Sequence, residues 1–147
     1  MVVLSAEATP SSSIHIKTQQ ALDQGLEHLS LADSFFSNED DGCAAVADAL
    51  KSGSFKSLDL RGCNVRSRGA KLLANALQFN SRLQQLGLEW NNIGVGEGGV
   101  KSLCQALEGN KALQILDLRN NAIQEADAKA VASLIRKNSC LRSLDLR

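Results

Sequence analysis

Leu86-Gly87-Leu88-Glu89-Trp90-Asn91-Asn92-Ile93 reads L-x-L-x-x-N-x-I. Two leucines alternate with other residues, which is the pattern of a short strand with one buried face. The Asn and Ile that follow mark a tight bend with one more apolar anchor. The pattern returns at Leu116-Asp117-Leu118-Arg119-Asn120-Asn121-Ala122-Ile123 and stands earlier at Leu58-Asp59-Leu60-Arg61-Gly62-Cys63-Asn64-Val65. A degraded copy is Leu29-Ser30-Leu31-Ala32-Asp33-Ser34-Phe35-Phe36, and Leu144-Asp145-Leu146-Arg147 begins the pattern again. The copies start at residues 29, 58, 86, 116 and 144, so the offsets are 29, 28, 30 and 28. A steady period of this length means an array of like units, none of which buries its apolar face alone.

Between strands the columns read as helix. Gly42, Gly69, Gly99 and Asp127 fall near the helix starts. Val46, Leu73, Leu103 and Val131 share one position, and Leu50, Leu77, Leu107 and Ile135 share another four residues later. Positions i and i+4 lie on one helical face, so both columns are expected to be buried. Ala49, Ala76, Ala106 and Leu134 lie between them, small enough for the most part to let the helix approach the strands. Asn80, Asn110 and Asn138 follow the helices, where a left-handed residue is expected to end each one, with Ser52-Gly53 in that place in the first repeat. Short strand–helix connections of one form imply a parallel sheet on the inside and helices on the outside.

The bend column is Ser34, Cys63, Asn91 and Asn121. An inward Asn has amide hydrogens to give to carbonyls of the neighbouring bend, and Cys or Ser has fewer donors. The bend ladder is therefore expected to strengthen toward the C-terminus.

Residues 1–13 are small and polar, with Pro10 and Ser11-Ser12-Ser13, and read as a disordered tail. Residues 14–28 read as an irregular N-terminal cap, with a strand over 13–17 and a short helix over 18–24. Residues 29–147 hold about four repeats and end in an incomplete one. The last residues leave an unpaired strand edge, which invites pairing with another chain. The chain is read as a fragment of a longer protein, with truncation or self-association through that edge as alternatives.

Composition narrows the partner. Lys plus Arg and Asp plus Glu are 16 each, so net charge favours neither nucleic acid nor an anionic membrane. Aromatic residues are 3% with no Tyr, too few to form a base-stacking platform. No apolar run approaches the roughly 18 residues of a membrane span. Cys43, Cys63, Cys104 and Cys140 are spread one to a repeat without a C-x-x-C pair. They are read as reduced, buried thiols of an intracellular protein, with no metal or other cofactor.

L-x-x-L-x-L-x-x-N/C in helical repeats of 28 to 30 residues resembles the ribonuclease-inhibitor-like class of leucine-rich repeats, from about Leu26 to Arg147. The resemblance implies an α/β fold, a leucine-rich-repeat solenoid forming a horseshoe segment, with parallel strands on the concave face and helices on the convex face. Members of the class act as nuclease inhibitors, innate-immunity sensor domains, GTPase activators for Ran, and parts of centrosomal and ciliary proteins. Leu88-Glu89-Trp90-Asn91 followed by Leu116 to Asn121 looks like the N-terminal repeats of a coiled-coil protein of the centrosome linker. That likeness implies a cytoplasmic protein, with the centrosome or ciliary base as its place. This chain lacks the cysteine richness of ribonuclease inhibitors and the acidic C-terminal region of Ran activators.

Three columns are expected to face outward on the strands. They are His28, Ser57, Gln85, Ile115 and Ser143; then Ser30, Asp59, Gly87, Asp117 and Asp145; then Ala32, Arg61, Glu89, Arg119 and Arg147. The repeated Asp/Arg pairs either neutralise one another or bind a partner. Glu89 and Gly87 interrupt the stripe and are expected to seat a partner's cation or backbone. Trp90 stands where other repeats have Asp33, Gly62 and Asn120, and either anchors a partner or folds over the bend beside Arg61 or Arg119. The expected contact set is Asp59, Arg61, Gln85, Glu89, Trp90, Ile115, Asp117, Arg119 and Asp145.

An enzyme is not expected. His28, Ser30 and Asp59 match a Ser/His/Asp set in composition only, and an open sheet excludes no water. Gly94-Val95-Gly96-Glu97-Gly98-Gly99 lacks the G-K-[ST] ending of a phosphate loop and reads as a flexible connection. Two function classes follow: a protein-interaction module or scaffold bound on its concave face, or a regulator of an enzyme, as an inhibitor or a Ran-type GTPase activator. The partner is a protein, not nucleic acid or membrane.

Overall fold

The computed structural model describes residues 10–36 and 39–147. Strands β1 (His28–Ser30), β2 (Ser57–Asp59), β3 (Gln85–Gly87), β4 (Ile115–Asp117) and β5 (Ser143–Asp145) form one parallel sheet in chain order. Helices α1 (Pro10–Asp23), α2 (Glu39–Ser52), α3 (Ser67–Leu77), α4 (Gly99–Glu108) and α5 (Ala128–Lys137) form the second layer, each packed on the next. Strands stand about 4.8 Å apart, whereas packed helices need about 8–10 Å. The helix layer therefore has the longer arc, and the sheet becomes the concave face.

The register aligns Leu29, Leu58, Leu86, Leu116 and Leu144 across the sheet. These leucines and Leu31, Leu60, Leu88 and Leu118 meet the helix columns Val46, Leu73, Leu103 and Leu50, Leu77, Leu107 in one continuous core. Each strand's pairing runs past its third residue: the Leu88 amide donates to Asp117 and the Trp90 amide to Arg119.

The bends hold the expected ladder. Asn91 Nδ2 donates to the carbonyls of Leu60 and Leu88 at 2.9 Å each, and its Oδ1 accepts the Val65 amide. Asn121 repeats this on Leu88 and Leu118. Cys63, with one weaker donor, reaches only the carbonyls of Leu31 and Arg61.

Several expectations fail for identifiable reasons. Residues 10–13, read as tail, begin α1, and 13–17, read as a strand, lie inside it; the expected disorder of 1–9 falls outside the described residues. Ile14 and Ile16 alternate, but the buried residues are Ile14, Thr18 and Ala21 at helical spacing, while Ile16 is exposed. Asn80, Asn110 and Asn138 do not adopt positive φ. Instead, their Nδ2 groups donate to carbonyls at the end of the preceding helix, namely Leu50, Leu77 and Leu107. Their Oδ1 atoms accept the amides two and three residues on. This is a second asparagine ladder, along the helix ends.

Ile135, placed in a buried column, is 63% exposed. Its counterparts Leu50, Leu77 and Leu107 belong to helices on which another helix packs, and none follows α5 in this chain. Cys43, Cys63 and Cys104 are buried and outside any disulfide, but Cys140 is half-exposed in the turn after α5. The glycine run is packed at its two ends and exposed over Val95, Gly96 and Glu97: a Cβ on Gly94 would strike the Ala122 carbonyl, and one on Gly99 would meet Ser67 Cα at 2.8 Å.

Candidate functional site

The register sets His28, Ser57, Gln85, Ile115 and Ser143 in one row and Ser30, Asp59, Gly87, Asp117 and Asp145 in the next. Buried leucines force these alternate residues onto the concave face. The third row, Ala32, Arg61, Glu89, Arg119 and Arg147, follows at the strand ends.

The charges of these rows form one connected network. Glu89, only 15% exposed, accepts from Arg61 at 3.3 Å and from Arg119. Arg119 also grips Asp117, at 2.6 Å through Nη2 and 3.0 Å through Nε, and lies 3.6 Å from Asp145. Arg147 closes on Asp145 at 2.7 Å. Glu89, expected with Gly87 to seat a partner's cation or backbone, already accepts from two arginines of the chain. The hydrogen bond from Arg119 holds the Asp117 carboxyl below its ordinary range. That from Arg147, reinforced by its charge and by Arg119, lowers Asp145 to about 2. Hydrogen bonding to Asp117 raises Arg119, and bonding to Glu89 raises Arg61.

Trp90 stands apart from this network. Its side chain is 64% exposed and its φ is 57°. Asp33, Gly62 and Asn120 hold the same bend position with φ of 57°, 65° and 55°. The column is a left-handed turn, which Gly, Asn and Asp tolerate and a bulky residue does not. The sequence shows that the column is otherwise small or polar; the conformation that explains it emerges only from the backbone. Ile115, 41% exposed, is the apolar member of its row. Gln85 is exposed beside it on β3.

Two side chains of the His28, Ser30 and Asp59 set bond to backbone amides just past their own strands. Ser30 Oγ accepts the Ala32 amide and Asp59 Oδ1 accepts the Arg61 amide. Among the described residues no group of three His, Cys, Asp or Glu side chains is placed to hold a metal ion. No helix among them is long and apolar enough to cross a membrane. Two open grooves lie away from the sheet, and sequence reading missed both. One of about 680 Å³ is bordered by Leu22, Leu26, Ala76 and Phe79, at the helix ends where the first repeat is one residue short. The other, about 620 Å³, separates α4 from α5, where Asp127 replaces the helix-start glycine and a 3-10 turn (Glu125–Asp127) precedes α5.

Comparison with known proteins agrees with this architecture. A leucine-rich-repeat family model matches residues 52–74 and 109–132. Leucine-rich repeat-containing protein 45 of Gallus gallus is 44% identical over 99 residues, covering 67% of this chain and 15% of that protein. RAN GTPase-activating protein 2 of Arabidopsis thaliana is 28% identical over 115 residues, covering 77% of this chain and 21% of that protein. The chain thus spans only 15% and 21% of these two relatives. The solved structure of the leiomodin-1 actin-binding site 2 superposes with a TM-score of 0.78 at 20% identity, over 92% of this chain and 78% of that one.

Proposed function

Because the chain belongs to the leucine-rich-repeat family, we propose that it is a protein-binding module, not itself an enzyme, that takes its partner on the concave sheet face with Trp90 as anchor. The observation that carries this reading is the exposed indole on a left-handed backbone. A residue held where its side chain is sterically disfavoured costs stability, and such positions gather at functional sites. The fold has no use for an indole there, since Gly62 and Asn120 make the same turn. Exposed Trp is also enriched among the residues that dominate binding interfaces. Ile115, Gln85 and the Asp/Arg network then frame the contact. The likeness to the centrosome-linker class supports a cytoplasmic scaffold at the centrosome or ciliary base.

A photo-crosslinking residue at Ile115 or at exposed Gln105 on the convex face tests the placement in cells. Crosslinks from position 115 that vanish with Trp90→Asn are expected. Crosslinks from position 105 alone would overturn the concave reading.

The similarity to RAN GTPase-activating protein 2 favours a second reading, regulation of a Ran-type GTPase. Phosphate release from such a GTPase in the presence of the protein decides it. An unchanged rate at micromolar protein removes the activator.

A further inference from the structure

Gly87 occupies a strand position that does not require glycine. Its φ is not in the left-handed region. A Cβ there would make only ordinary contact, 3.4 Å from Asp59 Oδ1 and 3.8 Å from Asp59 Cα. Glycine inside a strand weakens it, and often marks a place where a ligand or another backbone comes close. The neighbours in its row are Asp59 on β2 and Asp117 on β4. At about 4.8 Å per strand, the two aspartates flank a notch one side chain wide.

The charge around the notch is not balanced. In the three concave rows, Asp59, Glu89, Asp117 and Asp145 face Arg61, Arg119 and Arg147: four carboxylates against three guanidinium groups. Asp117 and Asp145 are satisfied by arginines at 2.6 and 2.7 Å. Asp59 accepts only the Arg61 amide, at 3.0 Å through Oδ1, and the Arg61 guanidinium stays 3.9 Å away at Nη2, beyond hydrogen-bonding distance. Of the four carboxylates in these rows, the one without a guanidinium hydrogen bond is the one that borders the empty position.

We infer that the Gly87 notch receives a cationic side chain of a partner polypeptide, an arginine by fit, against Asp59. The inference rests on the concave-face reading and names the chemistry of the partner. A planar guanidinium pairs with a carboxylate through two parallel hydrogen bonds. Trp90, three residues further along the same chain segment, presents the kind of aromatic surface on which a guanidinium or its stem packs.

A random peptide library selected on the folded protein tests this, with bound peptides mapped by amide and indole chemical shifts. The expected peptides carry Arg or Lys and shift Gly87, Asp59 and Trp90. Gly87→Leu, which fills the notch, and Asp59→Asn, which keeps the shape and removes the charge, are each expected to weaken them about tenfold, or 1.4 kcal/mol. Unchanged thermal midpoints in both variants show that folding is not the cause. Peptides without basic residues that still shift the sheet, or basic peptides indifferent to both variants, overturn the notch and leave the concave face standing. Peptides that shift only the helices, or no enriched peptide, overturn both.

Discussion

Asn110 Nδ2 donates to the carbonyl of Leu77 across 2.9 Å, tying the end of α4 to the end of α3. The same amide donates to Asn80 at 2.9 Å, and Oδ1 accepts from Ala112 and Leu113 at 2.9 and 2.8 Å. One buried side chain thus satisfies groups in two repeats. Asn110→Ala strands them, and an unpaired buried polar group costs about 1–3 kcal/mol. Urea denaturation is expected to show a loss of that size. Asn110→Asp keeps the acceptor but has no amide hydrogens to donate, and should unfold at least as early. Wild-type midpoints for both would mean that the ladder does not hold the helix ends.

Leu88 is fully buried between the layers, whereas Leu146 is 36% exposed at the sheet edge. Truncating a buried Leu to Ala costs about 2–5 kcal/mol, more where the site cannot collapse. Leu88→Ala, with repeats packed on both sides, is expected to lower stability by that amount and to do so more than Leu146→Ala. Equal losses in calorimetry would mean that the array is not packed most tightly at its middle.

What was legible in the sequence was whatever repeats with a side-chain signature. Leu58, Leu86 and Leu116 gave the strand register, and Asn91 and Asn121 gave the bend ladder, because burial and donor count restrict the residue type. Other features do not show in residue type alone. Asn80, Asn110 and Asn138 were visible as a column, but asparagine serves both a left-handed cap and a side-chain bridge, and only the backbone separates them. Ile135 matched a buried column whose burial depends on a neighbour, not on its own helix. The partners of Glu89 were not visible, because pairing across repeats, to Arg61 at 3.3 Å and to Arg119, depends on side-chain reach. In the site, membership of the rows followed from period, but the network's closure and the left-handed turn at Trp90 did not.

Cys63 and Cys104 retain their protons far into alkali, since burial raises their thiols to about 12 and about 11. An unfolded thiol ionises near 8.5. Between that pH and about 11 the unfolded chain therefore holds fewer protons than the folded one, and stability falls as pH rises. Below pH 8 this contribution is fully present. Denaturant midpoints should decline from about pH 8.5 upward, and less steeply in Cys63→Ala relative to its own value at pH 7. At neutral pH a thiol reagent is expected to label half-exposed Cys140 first, and Cys43, Cys63 and Cys104 only on unfolding. Rapid labelling of all four in the native protein would contradict the burial.

Trp90 separates folding from binding more sharply than any other residue. Its backbone, at φ 57°, is that of Gly62 and Asn120. A left-handed conformation costs a residue with a bulky side chain roughly 1–2 kcal/mol, and asparagine less because its short polar side chain bonds locally. The exposed indole recovers little of this by packing. Trp90→Asn is therefore expected to raise the unfolding midpoint or leave it unchanged, while the concave crosslinks are lost. If the variant unfolds earlier, the indole packs over the bend as part of the fold and the binding role loses its main support. If it is more stable and still crosslinks from position 115, the anchor lies elsewhere on the sheet, with Gln85 the next side chain to replace.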